Sequence, residues 1–430
     1  MHRSSWKLLP VAAVAIVVAA AGTACSSSNT PAASSSGGLT PSTLKLAALA
    51  SAQPGLQKVI ADWANVHPEV KIQPTFLAAG DPFTTTVSTQ FQGGNGPDLV
   101  WLVAGHASPT SAQVFAKAGY LADLSNESWV GTMYPVTKPL FSYDNKVVIR
   151  DFGLQPLSLL SYSTDYFSQH NLQPPTTFAD LLTLCRTISG QGKTPISWGG
   201  ASQPVNANNV AVLAGNTVMS QDPDWLTKAI AGQASFADTP GWKTALQQVV
   251  DMKNAKCFNA GVGGASLNQM IADFANGSAT MMFTTTGLLG NVLQQVPTLK
   301  IGIFAAPGPS ADSTRITTQA AGGLGINAKS THLAEAKAFL AFASQPDEIA
   351  KETSANSVIS PLDAASGNLT GIYASIKDYF TSKKVLADPT AQWPNTSFNT
   401  NTGTSIQGLF TGQKTVDGVL ADMAKFFAAN

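Results

Sequence analysis

Charge is scarce in this chain: Asp, Glu, Lys and Arg make up 12% of its residues, with 25 basic side chains against 25 acidic ones. No basic stripe is available to neutralise phosphates, so nucleic acid is not an expected partner. Phosphate, polyamine and free amino-acid ligands are disfavoured too, because their sites hold fixed opposite charges. Cysteine is nearly as scarce, with 3 in 430 residues. No Cys-x-x-Cys or Cys/His spacing builds a metal site, and the histidines (His2, His67, His106, His170 and His332) contain no His-x-x-x-His pair. Neither a metal nor a cofactor is expected. No Gly-x-Ser-x-Gly elbow occurs, and no histidine has an evident nucleophile partner. A glycosidase would need two carboxylates across a cleft. Asp81, Asp98, Asp144 and Asp151 are nominal candidates, but Asp98 in "GPDLV" reads as a turn residue. The expectation is a binding protein, not an enzyme.

Long apolar runs are missing beyond the start. There, Arg3 and Lys7 precede "LLPVAAVAIVVAAAG", an apolar run short for a membrane span and typical of an export signal. It ends in small residues at "GTAC", and "SSSNTPAASSSGG" follows as a flexible polar tether. Residues 1–24 thus read as a signal peptide, 25–39 as a tether, and Cys25 as a lipidated first residue. That places the protein on the outer face of the cell membrane, held by a lipid anchor. The position three before Cys25 is Gly22, where such signals usually carry Leu. Cys185 and Cys257 remain. In an oxidising compartment they can pair, or stay as two buried thiols; the sequence leaves both open.

At this length two domains are expected. "TLKLAAL" alternates as a strand, "LQKVIADWANVHP" as a helix stopped by Pro68, "EVKIQPTFLA" as a strand, and "PDLVWLVA" as a strand buried on both faces. This βαβ order predicts α/β lobes, each with a mostly parallel sheet flanked by helices. Downstream, "FADLLTLCRTIS", "TPGWKTALQQVVDMKN", "LNQMIADF" and "TVDGVLADMAKFF" carry helical stripes, and "SATMMF" is a strand. In "QAAGGLGINAKSTHLAEAKAFLAFA", Gly322, Gly323 and Gly325 lie before or inside a strand, not at the turn that opens a helix, and no Gly-Lys-Ser/Thr follows them. They do not make a phosphate cradle. The Gly-Gly pair instead lets backbone approach a ligand or a crossing segment.

Six segments, in order, resemble one family. They are "GNGPDLVWL" with "GYLADLS", "YSTDYFSQHNLQPPTTFADLL", "FANGSATMMF", "KIGIFAAPGP", "GGLGINAKSTHLAEAKAFLAFA", and "WPNT" with "LFTGQKTVDGVLADM". Together they are similar to the family 1 extracellular solute-binding proteins of carbohydrate ABC importers, the maltose-binding-protein-like group. Ser163, Thr164 and Phe178 depart from the family's usual residues. The resemblance implies a two-lobed periplasmic-binding-protein fold with three interlobe crossings, placed near 150–156, 304–308 and 343–347. Lobe 1 would be 40–150 plus 308–343, and lobe 2 153–305 plus 347–430. It further implies a monomeric receptor for a mono- or oligosaccharide, delivering to permease subunits. A lipoprotein glycan hydrolase, an envelope interaction protein, and a receptor for another neutral solute or a peptide are the alternatives.

A sugar site needs aromatic platforms and hydrogen-bonding groups. Trp101, Trp198 and Trp393 sit where loops leave strands and are candidate platforms; Trp63, Trp225 and Trp242 belong to helices and read as core. Asp81 and Gln53 follow strands, and His106 lies on the loop after the third strand. Gly322, Gly323, Thr285 and Asn399 match cleft-lining positions of the family.

Overall fold

The computed structural model describes residues 39–428 except Thr396. Cys25 and the segment read as signal and tether lie, up to residue 38, outside the described residues. The first alternating stretch forms β1 (Ser42–Leu49), followed by α1 (Gln53–Val66), which buries Leu56, Val59 and Trp63. β2 (Val70–Leu77), α2 (Asp81–Gln92) and β3 (Leu99–Leu102) complete the βαβαβ start, and β3 is buried at every position. Three short strands follow: β4 (Arg150–Asp151), β5 (Leu154–Pro156) and β6 (Leu159–Ser163).

α3 (Phe178–Gly190) opens on a capping box in which Thr177 and Asp180 satisfy each other's backbone N–H groups. β7 (Thr194–Ser197) leads into α4 (Gln203–Ala214), a helix with no polar face that runs on into a π turn, Gly215–Met219, buried throughout. α5 (Pro240–Asn254) buries the predicted Trp242, Leu246, Val249 and Met252 stripe. Thr239, just before it, makes no capping hydrogen bond: its hydroxyl accepts from Trp225 Nε1 (2.8 Å) and donates to the Ser235 carbonyl (2.7 Å). Then come β8 (Ala279–Thr284), α6 (Thr286–Gln295), β9 (Ile301–Ala305), β10 (Ile316–Ala320), β11 (Gly323–Ile326), α7 (Leu333–Ala343), α8 (Pro346–Ala355), β12 (Val385–Ala387), α9 (Phe398–Thr411) and α10 (Val416–Ala428).

The strands form one five-stranded sheet, β2-β1-β3-β11-β4, one four-stranded sheet, β9-β6-β8-β7, and a small sheet, β12-β10-β5. Pairing is parallel across β2-β1-β3 and β8-β7. It is antiparallel where β11, β4, β6 and β9 join, because those strands run to or from the other sheet. Each large sheet has its own apolar cluster, with Trp63, Phe141 and Phe339 in the first and Trp198, Trp225 and Phe283 in the second. Cys185 on α3 and Cys257 after α5 are bonded to each other, Cα to Cα 4.8 Å, inside the second cluster.

The crossings lie partly elsewhere than expected. The first runs through β5. The second is longer and later than 304–308, since β10 still belongs to the small sheet and only β11 reaches the first large sheet. The third is not at 343–347, because α8 remains on the first sheet's side. Lys351 Nζ reaches Asp62 Oδ2 of α1 (2.6 Å), Gly55 N donates to Asn356 Oδ1 (3.2 Å), and Arg150 pairs with buried Glu352. The chain crosses instead near Ile359, which exchanges two backbone hydrogen bonds of 2.9 Å with Leu154. The first two crossings are therefore neighbouring strands of the small hinge sheet, and the third runs beside it through the Leu154–Ile359 bridge.

Candidate functional site

The strand registers bring one set of chain ends into line. Leu49 lies opposite Leu77, and Ala47 opposite Val100, which puts the end of β1 level with the end of β3. Gly323 lies opposite both Leu102 and Asp151. Loops and helix starts therefore leave the first sheet along one edge: Gln53, Asp81, the 103–111 loop and Gly322. In the second sheet Ser197 lies opposite Met282, while Leu159 lies opposite both Thr284 and Ala305. That edge carries Trp198, Thr285 and Ala306. The edges are tied by the chain from Asp151 to Leu159, which even fully extended spans at most roughly 27 Å. A cleft of ligand dimensions between strand ends is the usual binding place in α/β sheets.

On the first edge, Gln53 is half-buried as the first residue of α1, and Asp81 is exposed as the first residue of α2, after Gly80. Asp81 makes no capping hydrogen bond there. His106 is half-buried, with Nδ1 3.0 Å from Gln113 Oε1. Trp101 is no platform: it is 5% exposed, stands edge-on to Phe83, and lies directly beneath Gly322. Gly322 has φ +92°, and a Cβ there would collide with the Trp101 ring; a Cβ at Gly323 would collide with the carbonyl of Arg150. The glycine pair is thus accounted for by a crossing segment and a packed ring.

On the second edge, Trp198 and Trp393 are also corrected to core. Each is 2% exposed. Trp198 Nε1 donates to Asn206 Oδ1 (2.8 Å), and its ring meets Phe258, Phe283 and Phe410 edge-on. Trp393 packs among Trp242, Phe398 and Phe427. Neither ring has a free face for a sugar. Thr285 caps α6, accepting from Leu288 N (3.4 Å). Asn399 is half-buried, and its Oδ1 has no partner among the described residues.

The hinge supplies residues that pattern reading missed. Gln155 and Gln319 face each other across β5 and β10, both half-buried, and neither side chain is hydrogen-bonded to any described residue. β5, with three residues, is too short for alternation to show, and "ITTQA" in β10 does not alternate apolar with polar, so no sequence signal marks them. Nearby, Asp151 is buried and its Oδ2 has no partner among the described residues; burial raises its pKa to about 6 against the pull of Arg150. Asp388 is likewise pushed up by burial, against hydrogen bonds from Thr390. Two outer grooves of about 520 and 500 Å³ flank the start of α5, but no candidate residue lines them. Among the described residues, no group of His, Cys, Asp and Glu side chains converges to hold a metal, and no helix is long and apolar enough to cross a membrane.

This architecture is shared. Residues 47–350 match the model of the bacterial extracellular solute-binding protein family, and the chain belongs to that family. It is similar to the multiple sugar-binding protein of Streptococcus mutans, 22% identical over 300 residues and 67% of each chain. Among solved structures it resembles apo RafE of Streptococcus pneumoniae (TM-score 0.75, 19% identity, 90% of this chain and 97% of that one). RafE in complex with raffinose superposes with a TM-score of 0.72 at 19% identity, covering 90% of this chain and 98% of that one. A family 1 extracellular solute-binding protein of Bifidobacterium longum subsp. infantis gives 0.74 at 17% identity, over 92% and 100%.

Proposed function

We propose that this chain is the receptor of a carbohydrate ABC importer, capturing a neutral mono- or oligosaccharide between two lobes and presenting it to permease subunits. The observation that carries this reading is the pair of strand-end edges joined by one hinge sheet and furnished with amides, hydroxyls and a single exposed carboxylate. Family membership and the sugar ligands named for the relatives support it. The lobes would be 39–151 with 323–355, and 159–305 with 361–428. Gln53, Asp81, His106 and the backbone at Gly322 and Gly323 would meet the ligand from one side, Thr285 and Asn399 from the other. Trp101, Trp198 and Trp393 would brace the walls from behind. Each ligand hydroxyl left unpaired in such a site costs ~1–3 kcal/mol, so the set of polar partners selects the sugar. A ligand touching both lobes binds the closed form better and draws the hinge shut. Lipidation of Cys25 would hold a monomer on the outer face of the membrane.

The test is a thermal-shift screen of the purified soluble part against raffinose, stachyose, maltotriose, cellobiose and chitobiose. At a hundred times the dissociation constant a true ligand adds ~2.7 kcal/mol, and scattering should show a smaller radius. Affinity should change little with salt. Stabilisation by none of these sugars, or their hydrolysis, would overturn the reading.

A further inference from the structure

The hinge sheet has two unlike faces. One carries Leu154, Ile316 and Val385, all buried in a cluster with Ile359 and Phe380. Alternation along β5 and β10 puts Gln155 and Gln319 on the other face, directly opposite each other. Thr317 shares that face, packed against Gly215 at the end of α4, the helix that starts just past the edge of the second sheet. The glutamine-bearing face is therefore the one turned toward the end of α4, and Gln319 on it lies three residues before Gly322 of the first edge.

Two glutamines are an odd choice for this pair. Glutamine is no strand former, and an apolar pair would pack better across a three-stranded sheet. Neither amide bonds the other, and neither bonds any described neighbour, so each keeps a donor and an acceptor unspent in a half-buried place. Directly opposed residues of an antiparallel pair have Cβ atoms roughly 5 Å apart. Two amide heads on such stems can grip neighbouring hydroxyls of one ring, each giving and accepting a hydrogen bond. Being neutral, they match a diol and offer nothing special to a carboxylate or a phosphate.

We infer that Gln155 and Gln319 form an amide clasp on the cleft floor that holds a vicinal diol of the bound saccharide; this rests on the receptor reading above. Because both strands are hinge strands, the clasp grips the ligand at the pivot, where it contacts the ring in open and closed forms alike. The diol therefore selects the sugar before closure.

The test uses the sugar from the panel above that stabilises the wild type, with Gln155→Leu and Gln319→Leu, which keep a branched stem and remove the amide. Each should weaken binding by roughly 10- to 100-fold, as loss of one or two hydrogen bonds does, with the ligand-free melting curve unchanged. The double variant should lose less than the product, since both amides hold one diol. As a second measurement independent of folding, the wild-type side-chain amide NMR signals of both glutamines should shift on sugar addition. Tight binding by both leucine variants, or unmoved amide signals in a wild type that binds sugar, would overturn the clasp alone. A wild type that binds no panel sugar would instead sink the receptor reading and the clasp with it.

Discussion

Gly105 lies so close to the carbonyl oxygen of Ala391 that a Cβ would fall inside contact distance, and its φ is +73°. The next two N–H groups, of His106 and Ala107, both donate to that same oxygen, at 3.1 and 3.2 Å. The loop after β3 is thereby fastened to the segment that leads from the hinge strand β12 toward Trp393. Gly105→Ala should break this fastening. A left-handed non-glycine residue costs about 1–2 kcal/mol before any clash, so the unfolding midpoint should fall by several degrees. Calorimetry of the variant checks this. An unchanged midpoint would mean the loop has room to move away at no cost.

Asp151 gives a stability effect with a definite sign. Its folded-state pKa, raised from 3.8 to about 6 by burial, means the native protein binds a proton more tightly than the unfolded chain does. Ionisation then weakens the fold as pH climbs from about 4 to 6, and the penalty is complete above that window. Asp151→Asn removes it. The variant should gain up to ~2–3 kcal/mol over wild type at pH 7, and the gain should vanish toward pH 4. Paired denaturation curves across that range test the slope; a gain that grows on acidification would contradict the assignment.

Trp198→Ala and Trp393→Ala should act on stability rather than on sugar recognition. Each removes a ring buried to 98%, at a typical cost of about 3–5 kcal/mol, and Trp198→Ala also strands Asn206 Oδ1 without its indole donor. Chemical denaturation should register both losses. A variant as stable as wild type that no longer binds sugar would restore the platform role.

These two tryptophans mark where the sequence stops being readable. β1, α1 and β2 announce themselves by period, because one face of each is wet. α4 does not: it is surrounded on all sides, so its Asn-rich, apolar sequence has no stripe. Whether Trp198 meets ligand or protein depends on what roofs the end of β7. Residues 262–266 do so, with Gly199 and Gly200 pressed against the backbone of Ser266 and Val262. Strand ends were legible; their covers, distant in sequence, were not. Gln53, Asp81 and Thr285 still read as edge positions, since that depends only on which residue follows a strand.

The Cys185–Cys257 bond closes a loop of sequence separation 72 within the second cluster. Its removal should cost roughly 2–4 kcal/mol. Both cysteines should resist alkylation without reductant and react after reduction under denaturing conditions. Two thiols that alkylate freely in the untreated protein would rule the bond out.

The long-range pairing of the first sheet also dictates an order of assembly. β11 lies between β3 and β4, and just beyond it Asn327 Nδ2 donates to the Gly96 carbonyl (3.1 Å), 231 positions earlier in the chain. Arg150 waits on Glu352, 202 positions away. A chain emerging from its N-terminus cannot finish this half until most of it has been made, so β3 stands with one edge unpaired throughout. Such distant closure folds slowly, so the first sheet stays open at this seam until the second half of the chain has been made.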